Sequence, residues 1–129
     1  MGAWGPGPFD NDDALDWIDD LIESGINALG ATLEIAADGD TLEAPDASMA
    51  LAAAEVVAAL YGSPARELPG EVIEWVADYG RALPDELAPL ARKAAERVRR
   101  ESELKDLWEE SDPAGWYAAV DDLLRRLPA

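Results

Sequence analysis

The 129 residues include no cysteine and no histidine, which excludes disulfides, thiolate nucleophiles, Cys/His zinc sites, Ser-His-Asp triads and any histidine general base. With 49% apolar residues and five tryptophans beside a formal charge of −18, the composition is globular rather than disordered, and the length suits one domain with a buried core. Residues 1–65 hold thirteen Asp or Glu and no Lys or Arg, whereas residues 66–129 hold fifteen acids and ten bases; such a surface repels nucleic acid and anionic membrane, and suits a basic protein, divalent cations or solubility alone.

No stretch alternates apolar and polar residues over strand length, and alanine and leucine dominate, so the expected fold is all-α: a compact bundle of six or seven helices forming one domain over residues 1–129. Residues 1–11, rich in Gly and Pro, form an extended arm on that body. The first helix is expected from Asp12 to Ser24, closed by Gly25, and the second from Ile26 to Ala37, closed by the Asp38 to Asp40 turn. Pro45 opens a third that runs to Tyr61, with Gly62 as its stop. Pro69 opens a fourth to Tyr79, and Pro84 a fifth to Arg100 whose start Pro89 should shorten or kink. Ser102 can cap a short sixth ending near Glu110, and Asp112 with Pro113 begins the last, to Leu127. Ala47 to Tyr61, the most apolar stretch, is shorter than the roughly 20 residues of a membrane span. No apolar leader precedes Trp4, so a soluble cytoplasmic protein is expected.

On a helical wheel, Ala14, Leu15, Trp17, Ile18, Leu21 and Ile22 of the first helix share one arc, and Asp12, Asp13, Asp16, Asp19, Asp20 and Glu23 fill another. The acids therefore read as a solvated face and as the candidate binding surface. Asp10 or Asn11 can cap this helix, Asp12 and Asp13 suit its dipole, and Phe9 can staple back near Ala14. Within GPGP, Pro6 and Pro8 fix φ while Gly5 and Gly7 permit close approach, so Trp4 and Phe9 can anchor the arm. No G-x-G-x-x-G or G-K-[ST] phosphate loop is present.

Four stretches carry a resemblance: WGPGPFDNDDALDW at the start, ALAAAEVVAAL from Ala50, SELKDLWEE from Ser102, and W-x3-V-D-D-L-L-x-R-L from Trp116. Together they resemble the bacterial family catalogued as domain of unknown function 4259. The resemblance implies a small helical domain with Trp4, Gly5, Gly7, Phe9, Asp10 and Asn11 in its signature. It implies no activity, cofactor or catalytic residue.

The EF-hand pattern fails at Asp10 and at Asp38, where Ala14 and Leu42 occupy the fifth position. A carboxylate-only magnesium site remains as an alternative, with Asp16, Asp19, Asp20 and Glu23 on one helix and Glu71 and Glu74 on another. This row loosely resembles those of all-helical nucleotide pyrophosphatases. Glu55 lies mid-way along an otherwise apolar helix, on a small-residue seam with Ser48, Ala52, Ala59 and Gly62, opposite Met49, Val56, Val57, Leu60 and Tyr61. Either that seam faces water or it buries Glu55 against an arginine or an indole N–H, with Arg92, Lys93, Arg97, Arg99 and Arg100 as the charged candidates. Those five cations are expected to answer the acid of the first half, and Trp75, Val76, Leu104, Leu107, Trp108, Trp116 and Val120 to be core.

The favoured function is a non-enzymatic acidic module engaging a basic protein surface, with no cofactor, direct nucleic acid or membrane. The alternatives are a magnesium-dependent phosphohydrolase and a self-associating structural protein built on the small-residue seam, so that monomer and homodimer both remain open.

Overall fold

The computed structural model describes residues 5–128. Among these residues are seven helices and no strand: α1 (Asp12–Ser24), α2 (Ile26–Asp38), α3 (Ala44–Leu60), α4 (Gly70–Asp78), α5 (Leu87–Arg100), α6 (Glu103–Glu109) and α7 (Pro113–Arg126). The fold is compact and all-α. None of the helices is long and apolar enough to cross a membrane.

Local signals explain where the helices begin and end. Asn11 caps α1, its side-chain oxygen accepting from the Ala14 N–H at 2.8 Å, which satisfies one of the donors left free at a helix start. Gly25, at φ +61°, turns the chain directly into α2, a backbone conformation that side chains with a Cβ avoid. Ser102 caps α6 through Lys105 N–H and donates its hydroxyl to Val98 C=O. Pro89 accounts for the largest shift from expectation: α5 begins at Leu87 rather than Pro84. The proline thereby falls in the first turn, where its missing N–H has no intrahelical partner to lose.

α3 is the hub, and every other helix packs on it. From Ala47 to Ala59 each of its residues is buried except Met49, which is half-buried. Alanines at 50, 52, 53, 54, 58 and 59 let neighbouring backbones come near from all sides, because interaxial distance is set by side-chain size at the contact. The seam of Ser48, Ala52, Glu55 and Ala59 is therefore covered within the chain, and the reading in which these residues face water does not hold. α5 packs across both α2 and α3. Trp17 and Trp116 are the bulkiest fully enclosed side chains, and the Trp17 indole N–H is satisfied by Thr32 Oγ1 at 2.8 Å.

Three sequence expectations about the core need correction. Leu15 and Ile22 are exposed, Ile22 by 53%, so the buried arc of α1 is narrower than its apolar arc and comprises Ala14, Trp17, Ile18 and Leu21. Leu107 is exposed as well, while Trp75 and Trp108 are half-buried against the core. Tyr61, placed on the packing face of α3, emerges at its C-terminal end and is also exposed.

Candidate functional site

The acids of α1 project outward. Asp12, Asp13, Asp16, Asp19, Asp20 and Glu23 are all exposed, while their helix buries the opposite side against α2 and α3. Glu71 and Glu74 are exposed on α4. Among the described residues, no three acids converge closely enough to hold a metal ion, so the two carboxylate rows are not brought together. Physically, the row on α1 faces away because Trp17, Ile18 and Leu21 claim the inward side.

The arm is held by a reciprocal loop. Asp10 N–H donates to Gly7 C=O at 3.0 Å, and Gly7 N–H donates to the Asp10 carboxylate at 3.0 Å. A Cβ built at Gly5 or Gly7 would lie 2.6 or 2.8 Å from Asp10 Oδ2, so a side chain at either position would displace this carboxylate from the loop it closes. Asp10 thus closes the arm, and Asn11 alone caps the helix. Pro6 lies against Gly115 of α7, and Phe9 is half-buried against the core. Trp4, the other expected anchor, lies outside the described residues.

Glu55 is only 1% exposed, and its partner is Arg126, in the last turn of α7. The guanidinium donates Nη1–H to Glu55 Oε1 at 2.8 Å and Nη2–H to Oε2 at 2.9 Å. It also donates Nε–H to Asp122 Oδ2 at 2.9 Å and a further Nη1–H to Ser63 C=O at 3.2 Å. The two-pronged geometry and the extra acceptors are what a buried ion pair needs to offset desolvation. The hydrogen bond to Glu55 raises the Arg126 pKa above its ordinary value, against the opposing effect of burial. The pair joins the helix hub to the C-terminal end of α7, 71 positions away in sequence.

None of the five cations expected to meet Glu55 does so. Arg97 donates to the backbone carbonyls of Ala36, Gly39 and Asp40, and Arg92 to those of Leu124, Leu127 and Pro128. α5 therefore clamps the carbonyl-rich C-terminal ends of α2 and α7, where unpaired C=O groups and the helix dipole favour a cation. Lys93 pairs with Asp38 at 2.9 Å. Arg99 grips Asp121 through two hydrogen bonds and lies 4.7 Å from the centre of the Tyr117 ring. Of these cations only Lys93 pairs with an acid of the first half; Arg97 holds backbone carbonyls there and pairs with Glu101, while Arg92 and Arg99 bind α7.

Two concave surfaces adjoin the segment between α3 and α4. One is a mixed-charge cleft of about 360 Å³ between the arm and α7, lined by Asp10, Glu67, Asp122, Arg66 and the Glu55–Arg126 pair. The other is an apolar groove of about 370 Å³ formed by Pro64, Ala65, Leu68, Ile73, Val76 and Ala77, in which Arg66 is the one charged residue. Sequence reading missed the groove, which the structure marks by Ile73, 54% exposed on the nine-residue α4. Ala65 and Arg66 form the ridge shared by the two.

No curated protein and no solved structure matches the chain. The family described as Domain of unknown function (DUF4259) matches residues 2–119, a span that includes the acidic first helix, the α3 hub and the first half of α7. The chain therefore belongs to the DUF4259 family.

Proposed function

We propose that this protein is a non-enzymatic acidic binding module that engages a basic protein surface. The observation that carries this reading is the outward acidic face of α1 within a first half that holds thirteen acids and no base. Few of those acids are neutralised by the bases of the second half. Lys93 takes Asp38 and Arg126 takes Glu55, and the α1 acids make no ion pair among the described residues. An uncompensated field of one sign accelerates and orients association with a partner of the other sign.

Fluorescence polarisation with labelled oligolysine provides the test. Affinity should fall steeply as the Debye length is shortened from about 30 Å to about 8 Å by added salt. Replacing Asp16, Asp19 and Asp20 by Asn should weaken binding severalfold at low salt. Binding that is absent at low salt, or indifferent to salt, overturns the proposal.

A further inference from the structure

We infer that the partner is a basic amphipathic helix whose apolar side seats in the groove beside α4. This rests on the acidic-module reading above and specifies its docking surface. α4 is the most weakly embedded of the longer helices. Of its nine residues only Val72 is fully buried, while Ile73 and Ala77 form one wall of the groove. At 100° per residue, the exposed acids Glu71, Glu74 and Asp78 fall on the stripe next to that wall. Beyond the stripe, Trp75 and Asp78 line one cleft together with Ile22 and Glu23 of α1 and with Arg81. An aliphatic trough therefore runs beside an acidic stripe on α4, with Glu23 of α1 across the adjoining cleft.

That pattern is the complement of a helix with aliphatic residues on one side and Lys or Arg on the other, anchored at i, i+3 or i+4, and i+7. Among the described residues no strand edge exists to be extended by a peptide, and the groove lining holds no aromatic ring of the kind that grips polyproline. A second copy of this chain would bring −18 against −18, and an anionic lipid surface meets the same repulsion. Arg66 suits the carbonyl end of the incoming helix, where the dipole is negative.

The experiment uses the full chain and two labelled helical peptides with identical lysines. One carries leucines at the anchor spacing, and the other alanines in their place. The leucine peptide should bind more than tenfold tighter than the alanine peptide. Ile73→Asp and, separately, Ala77→Glu, both at exposed positions that leave the core intact, should abolish that difference. The Asp16, Asp19 and Asp20 to Asn variant should weaken both peptides alike. Equal binding of the two peptides, or a preference for leucine that survives Ile73→Asp, overturns the groove while leaving the acidic reading standing. Loss of both peptides at low salt overturns the acidic reading itself. A concentration-dependent dimer in sedimentation that Ile73→Asp dissolves would assign the groove to a second copy and refute the inference.

Discussion

Arg126→Ala is the sharpest probe of what holds this bundle together. The substitution leaves Glu55, 1% exposed, with two carboxylate oxygens that have lost both guanidinium donors; it also removes the donor to Ser63 C=O and one of the two arginines that bind Asp122, which keeps Arg125. Removing one partner of a buried pair costs about 3–5 kcal/mol. The Arg126 side chain retains 18% exposure and borders the mixed-charge cleft, so water can partly hydrate the stranded carboxylate, and the lower end, about 3 kcal/mol, is expected. For a chain of this size that lowers the melting temperature by roughly 12 °C, at about 4 °C per kcal/mol. Urea unfolding at neutral pH measures it. Replacing both residues by leucine should recover most of the loss, since apolar pairs of similar volume substitute well for buried ions. A cost below about 1 kcal/mol, the range of exposed pairs, or a double variant as weak as the single one would refute the reasoning.

Further outcomes follow from the same geometry. Asn11→Ala removes the side-chain acceptor for Ala14 N–H and should cost about 1 kcal/mol, seen as a lower urea midpoint with unchanged slope. The hydrogen bond from Tyr117 to Glu109, 2.6 Å long, raises the phenol pKa above its ordinary value, reinforced by desolvation. Ultraviolet titration should therefore place Tyr117 ionisation late, and Glu109→Gln should move it earlier. Because the folded value is the higher one, the stabilisation from this bond is complete at neutral pH and lost as the pH rises through that raised value. Moderate salt should raise the melting temperature by screening repulsion among the acids of residues 1–65; an unchanged temperature between low and moderate salt would show that local pairing already balances that repulsion.

The helices were legible from residues alone because their ends are written in local chemistry. Asn11, Ser102, Gly25, Pro45 and Pro113 act on backbone groups within a few positions of themselves, so a window of sequence contains the whole argument. The segregation of acids from Trp17, Ile18 and Leu21 likewise follows from one helical period. Facing was harder to read wherever a helix lacks a polar side: α3 is apolar at nearly every position, so periodicity could not say which neighbour covers which side. Nor could composition show that Leu15, Ile22 and Ile73 remain outside, since burial depends on whether another element arrives to cover them.

By itself, the sequence determined an all-α fold, its helix boundaries to within a few residues, an acid face turned outward on α1 and the absence of cysteine and histidine chemistry. Tertiary structure alone decided that Glu55 meets Arg126 rather than an arginine of α5, that the α5 cations clamp helix ends, and that an apolar groove opens beside α4. The reason is range. Caps and amphipathic periods act over one or two turns of chain, whereas an ion pair across 71 positions, or a trough between a loop and a helix, exists only once packing around α3 has brought the distant parts together.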